Sequence, residues 1–173
     1  SSEGSAAKWT PESLDKEHPR VHAWIRTIHF AVRDCGINLL DTAPWYGHGT
    51  SEVVIGWAME TLQSIRQDII ISTKVGRYEA DMHKQFDFSR QATLSSVQQS
   101  LKRLRCQYID VLQLHDPEFA PSLEQLMKET IPAMLQCRSN GWCRAIGITG
   151  YPLEVQFQIL QRSMETFGAN IWD

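Results

Sequence analysis

Three apolar runs in this chain stop on side chains able to hold or move a proton. Ile37-Asn38-Leu39-Leu40 runs into Asp41, Ile69-Ile70-Ile71 leads through Ser72-Thr73 to Lys74, and Tyr108-Ile109-Asp110-Val111-Leu112-Gln113-Leu114 ends at His115. A tyrosine, Tyr46, follows Asp41 closely in the stretch DTAPWYGHG. A tyrosine hydroxyl has an ordinary pKa near 10, too high for easy proton donation at neutral pH. A neighbouring ammonium stabilises the phenolate, and a carboxylate can hold that ammonium in place. Lys74 and Asp41 suit those two tasks, and His115 suits hydrogen bonding to a substrate oxygen or relay of a proton. The set fits protonation of a carbonyl oxygen while a hydride arrives at its carbon, and that hydride has to come from a cofactor. Singly, each residue has a plainer role: Asp41 a loop cap, Tyr46 a half-buried aromatic, Lys74 a surface lysine, His115 a hydrogen-bonded structural histidine. Their joint placement at successive run ends is what points to a site.

The elements that must position them alternate. Trp24, Ile25, Ile28, Ala31 and Val32 have helical spacing over residues 21–35, with Gly36 to end the helix. Thr50 or Ser51 is expected to cap a second helix, with Glu52 in its first turn and Val54, Ile55, Ala58 and Leu62 on its inner face. The run at Ile69 predicts a strand buried on both faces. Ser89 opens a third helix with a Leu94, Val97, Leu101, Leu104 stripe, and 108–114 is the next strand. Ser122 and Gln125 have capping-box spacing, but Pro132 predicts a break and a fresh helix ending at Asn140-Gly141. Arg144 to Ile148 is a fourth strand, 152–167 a helix, and Asn170-Ile171-Trp172 the start of a further strand. Strands separated by single helices indicate an α/β fold with a parallel sheet. No GxGxxG follows a strand and no GxxxxGK[ST] occurs, so the pattern favours a barrel over an open nucleotide-binding sheet. A (β/α)8 TIM barrel takes about 250 residues; this chain has 173 and about four complete strands. The expected fold is that barrel, present only in part, over residues 21–173, with 1–20 a poorly ordered N-terminal segment.

Composition narrows the function classes. Hydrophobic residues make up 42% and charged residues 21%, the proportions of an ordinary globular protein. A net charge of −3 offers no basic surface for nucleic acid. No apolar run approaches the roughly 20 residues that span a bilayer, so no membrane partner is expected. SSEGSAAKWTPESLDKEHPR holds no apolar signal core, which predicts a cytoplasmic protein. Cys35, Cys106, Cys137 and Cys143 fit reduced thiols, not a zinc site or a disulfide framework, and no metal is expected. His18, His22, His29, His48 and His83 lack metal spacing, Asp110 lies at the wrong end of its strand, and the tryptophans suit core or helix anchors.

The stretches GINLLDTAPWYG, IIISTKVGRY, YIDVLQLHD and RAIGITG resemble the aldo-keto reductase family, over about residues 25 to 168. The resemblance implies a (β/α)8 barrel and an NAD(P)-dependent oxidoreductase that interconverts a carbonyl and an alcohol. Its catalytic tetrad falls on Asp41, Tyr46, Lys74 and His115. It also implies cofactor contacts at Asp41 and Thr149, substrate contacts at Trp45, Tyr46, His115 and Asp116, NADP or NAD as cofactor, and a small carbonyl compound or sugar as substrate. TKVGRYE followed by FDFS, LHDPEF, ETIPA and GITGYPLE are similar to the L-galactose dehydrogenase branch, which oxidises a sugar at its anomeric carbon. Many members carry Ser-Asn after the fifth strand to hold the nicotinamide amide; here Thr149-Gly150 stands there. The family's opening strand has no match in residues 1–20, and its adenosine-gripping strands would follow Asp173. The alternatives are a nicotinamide-binding regulatory subunit or a truncated, inactive barrel fragment. By itself such a fragment is expected neither to bind cofactor tightly nor to turn over substrate.

Overall fold

Strands β1 (Leu39–Asp41), β2 (Ile70–Val75), β3 (Ile109–His115) and β4 (Cys143–Thr149) lie side by side in chain order in the computed structural model, every neighbouring pair parallel. The structure describes residues 9–173. Helices α1 (Pro19–Arg33), α2 (Thr50–Met59), α3 (Arg90–Leu104), α4 (Leu123–Gln125), α5 (Ile131–Ser139) and α6 (Leu153–Phe167) alternate with the strands. This is part of a (β/α)8 barrel: four consecutive parallel strands with helices packed on one face.

Register assigns the faces. Asp41 pairs with Ser72, Lys74 with Gln113 and His115 with Thr149, so these side chains share one side of the pleat. The alternate residues Ile71, Val75, Leu112, Leu114 and Ile146 are fully buried under the helices. The expected burial of β2 on both faces holds from Ile71 to Val75, with Ser72 and Lys74 on the inner face at 3% and 4% exposure, and fails only at the first residue, Ile70. Ile71 is 0% exposed, but Ile70 is 40% and Leu39, on the same inner face, 52%. The four described strands do not close a barrel on themselves, so among the described residues nothing covers the inner face at Leu39 and Ile70.

Local chemistry moved several boundaries. α1 starts at Pro19, not residue 21, because Pro19 sits at the first helical position and the His18 ring caps it, accepting from the Arg20 N–H at 3.2 Å. α2 is capped by Gly49 at φ 93, not by the Thr50 or Ser51 hydroxyl. Both hydroxyls are occupied: Thr50 Oγ1 donates to the Gly47 carbonyl, and Ser51 Oγ meets Thr42 Oγ1 at 2.9 Å. Ser122 caps α4 as expected, accepting from the Gln125 N–H at 3.1 Å. The break before Pro132 is absent. The chain stays helical through a π-turn over Leu126–Thr130, where the Ile131 N–H reaches the Leu126 carbonyl. The wider turn relieves the clash of the proline ring with the carbonyl four residues back.

At the end of the described chain, the Asp173 N–H donates to the Ile146 carbonyl at 3.1 Å and its carboxylate accepts from the Ile146 N–H at 3.0 Å, alongside β4. Residues 1–8 of the expected N-terminal segment lie outside the described residues. Residues 9–20 carry turns and the start of α1, with Leu14 buried beside Val21, Val53, Val54 and Trp57, and with Trp9 against that cluster. Asp110 is structural: buried at the opposite end of β3 from His115, it accepts from Arg66 at 2.7 Å and from the Ile71 N–H at 2.9 Å. No helix of the described residues is long and apolar enough to cross a membrane.

Candidate active site

The C-terminal ends of β1, β2 and β3 bring Asp41, Lys74 and His115 to one edge of the inner face, where parallel α/β folds gather their reactive groups. Lys74, 4% exposed, has all three ammonium protons engaged. It donates to Asp41 Oδ1 and Oδ2 at 2.9 and 2.8 Å and to the Thr42 carbonyl at 2.8 Å. The Asp41 carboxylate is held from its other side. Ser72 Oγ donates to Oδ1 at 2.9 Å, and Gln113 Nε2 donates to Ser72 Oγ at 2.7 Å while lying 3.4 Å from the same Oδ1.

Tyr46 reaches this pair from the loop after β1. In that loop Gly47, His48 and Gly49 all take positive φ, turning the chain sharply into α2. The Lys74 ammonium lies 4.8 Å from the Tyr46 ring centroid, and the His115 ring meets the Tyr46 ring edge-on at 6.1 Å and 89°. His115 is buried, which pushes its pKa below the ordinary histidine value. Asp116 opposes that shift, the Lys74 and Arg77 cations reinforce it, and Asp41 opposes it weakly. All four expected tetrad residues therefore meet.

The other expected contacts lie round this cluster. Trp45 and Asp116 are joined through Arg77, whose guanidinium sits 4.1 Å from the Trp45 ring centroid and donates to Asp116 Oδ2 at 2.8 Å. Thr149 ends β4 beside His115, half-buried, its carbonyl accepting from the Asp116 N–H at 2.8 Å. Behind the cluster, fully buried Glu52 on α2 accepts from Thr73 Oγ1 and from Arg103 Nε of α3, each at 2.7 Å, pinning β2 to both helices next to Lys74.

Ser72, Gln113, Arg77 and the Thr42 carbonyl were not singled out from the sequence. Ser72 and Gln113 each lie two residues before a tetrad member on the same strand face, and that parity was a usable signal. Arg77 stood inside the TKVGRY stretch. Nothing in the residue types marks a backbone carbonyl.

A family model described as the aldo/keto reductase family matches residues 9–168, and the chain belongs to that family. It is 43% identical over 138 residues to L-galactose dehydrogenase of Arabidopsis thaliana, covering 80% of this chain and 41% of that protein. Over 123 residues it is 37% identical to D-arabinose 1-dehydrogenase of Saccharomyces cerevisiae, covering 69% of this chain and 34% of the relative. Among solved structures, the holo form of aldo-keto reductase AKR11C1 from Bacillus halodurans superposes with a TM-score of 0.68 at 35% identity, over 80% of this chain and 45% of that one. The chain thus spans less than half the length of each of these proteins.

Proposed function

We propose that the protein is an NAD(P)-dependent oxidoreductase that oxidises an uncharged aldose at its anomeric carbon, in the manner of an L-galactose dehydrogenase, or reduces the corresponding carbonyl. The observation that carries this reading is the contact of one buried ammonium, Lys74, with both the Asp41 carboxylate and the Tyr46 ring. When bound, a nicotinamide cofactor accepts or supplies the hydride. The half-buried strip of Gln113, Gly147 and Thr149 on the inner face fits its flat ring. A Cβ at Gly147 would meet nothing nearer than Gln113 Cγ at 3.7 Å, so the surface there is low and open. Thr149 within this strip and Asp41 beside Gln113 at its border are the side chains assigned to hold the cofactor.

The proton is this chain's task. In oxidation, Tyr46 in its phenolate form takes the proton from the anomeric hydroxyl as that carbon loses its hydride; in reduction, the Tyr46 hydroxyl returns a proton to the carbonyl oxygen. Lys74 stands against the Tyr46 ring, and Asp41 fixes Lys74 there. His115, kept neutral by burial, has a ring nitrogen to bond the same substrate oxygen and orient it. Trp45 and Asp116 supply an aromatic face and a hydroxyl acceptor on either side. Both cations of the cluster, Lys74 and Arg77, are already paired with carboxylates at 2.8 Å, which favours an uncharged sugar over a phosphorylated one.

The test is aldose oxidation by the full-length gene product, read as reduced-nicotinamide absorbance with NAD+ and NADP+ supplied separately. L-galactose, other neutral aldoses and their phosphates form the panel. Turnover of a neutral aldose, abolished in Lys74→Met, supports the assignment; no turnover of any aldose refutes it.

A further inference from the structure

We propose that Arg77 is a positioning residue for this site, holding Trp45 and Asp116 in one fixed arrangement around the Tyr46–His115 pair. The proposal rests on the functional reading above. Arg77 lies on the loop after β2. Its guanidinium covers the ring of Trp45, from the loop after β1, at 4.1 Å, lies 5.4 Å from the Phe86 ring centroid, and donates to Asp116, directly after β3, at 2.8 Å. One cation thus joins the segments that follow three successive strands. Trp45 precedes Tyr46 and Asp116 follows His115 in the chain, so the clamp closes on the immediate neighbours of two tetrad residues.

Each clamped residue is also braced from another side. Trp45 meets His48 edge-on at 5.2 Å, and Asp116 adopts a left-handed backbone at φ 50 with its N–H on the Thr149 carbonyl. Arg77 and Asp116 are mostly buried, with side chains 27% and 17% exposed, so solvent and salt weaken the pair less than a surface pair. A planar guanidinium can stack on an indole and donate in its own plane at the same time, which a lysine ammonium cannot.

The clamp has an electrostatic consequence for His115. Asp116 Oδ2 receives Arg77 at 2.8 Å and lies 3.7 Å from His115 Nε2. The guanidinium therefore holds the oxygen that would otherwise pair with an imidazolium. Around the His115 ring stand Asp41 from β1, Tyr46 from the loop after it, Lys74 from β2, Arg77 from the loop beyond, and Asp116. Removing Arg77 deletes one of the two cations and releases one of the two carboxylates, and both changes favour the protonated ring. Burial is the main cause that keeps His115 a neutral imidazole, able to donate from one nitrogen and accept at the other, and Arg77 reinforces it.

Nuclear magnetic resonance on the full-length protein tests this without catalysis, following the His115 ring protons against pH and the Trp45 indole N–H. In Arg77→Met the His115 midpoint should rise by about one pH unit, the lower end of the effect of a close charge, and the Trp45 signal should move. Arg77→Lys keeps the charge and loses the stack, so the Trp45 signal should move while His115 stays within a few tenths of a unit of wild type. The Arg77→Met/Asp116→Asn pair should bring the midpoint back to or below the wild-type value. Unchanged His115 and Trp45 signals in a folded Arg77→Met chain overturn the proposal; should that variant not fold, an unmoved Trp45 signal in Arg77→Lys overturns it equally. In the full-length enzyme Arg77→Lys should raise KM for aldose about tenfold, a loss of about 1.4 kcal/mol of binding, with kcat changed less. A raised midpoint without aldose turnover in the wild type would sink the dehydrogenase reading and leave the clamp standing.

Discussion

Asp41→Asn and Lys74→Met break the same ion pair from opposite ends, and the structure makes the two losses unequal. The Lys74 side chain is 4% exposed and that of Asp41 46%. In Asp41→Asn the ammonium stays buried with the Thr42 carbonyl and at most one amide oxygen, while the new NH2 has no lone pair to offer it. A buried charge deprived of its partner costs about 3–5 kcal/mol. The surviving acceptors and the solvent reaching the Asp41 side bring the expected loss to about 2 kcal/mol. In Lys74→Met the carboxylate keeps Ser72, Gln113 and its 46% exposure to water, and methionine fills the space of the lysine stem. The expected loss there is about 0–1 kcal/mol. Urea unfolding of the chain at neutral pH, followed by circular dichroism and compared through midpoint and slope, measures both. Asp41→Asn should be the weaker of the two by about 1 kcal/mol or more. Equal losses, or a more fragile Lys74→Met, would show that Lys74 does not depend on Asp41 for its burial, and would remove the basis for reading the pair as a pre-set proton-transfer device.

Other expectations are equally direct. Tyr46→Phe in the full-length enzyme should lower kcat about 10²- to 10⁴-fold with cofactor affinity unchanged, as measured by steady-state rates and nicotinamide fluorescence titration; near-normal turnover would assign the proton to another group. His115 has a folded pKa lowered by burial, so the unfolded chain takes up its proton first as pH falls. Its share of stability is complete above the unfolded value near 6.5 and lost as pH falls from there through the folded value, so the urea midpoint should drop as pH falls below about 6.5. His115→Gln should flatten that drop, and an unaltered slope would contradict it. At Gly56 on α2 a Cβ would stand 2.0 Å from the Arg103 carbonyl oxygen on α3, backbone that cannot swing aside. Gly56→Ala should therefore cost about 3 kcal/mol in the same unfolding assay, and a wild-type midpoint would mean the helices sit further apart.

Much of this architecture was legible in residue order alone, because it depends on local chemistry. Helical spacing, serine caps at Ser89 and Ser122, and apolar runs ending at Asp41, Lys74 and His115 are short-range signals, and each appears in the folded chain where local geometry demands it. The convergence of Asp41, Lys74 and His115 followed from strand ends alone, since adjacent strands stand about 4.8 Å apart, and Tyr46 joins them from the loop after β1. Tertiary structure decided what depends on neighbours distant in sequence. Thr50 and Ser51 are ordinary capping residues, yet their hydroxyls are drawn to Gly47 and Thr42 and Gly49 takes the cap. Pro132 should break a helix, but a π-turn packed against the rest of the fold absorbs it. The partners that set the chemistry, Ser72 and Gln113 on Asp41, the Thr42 carbonyl on Lys74, and Arg77 between Trp45 and Asp116, are pairings across strands and loops. Residue types mark which groups are able to donate or accept; the register of a parallel sheet determines which of them come within reach.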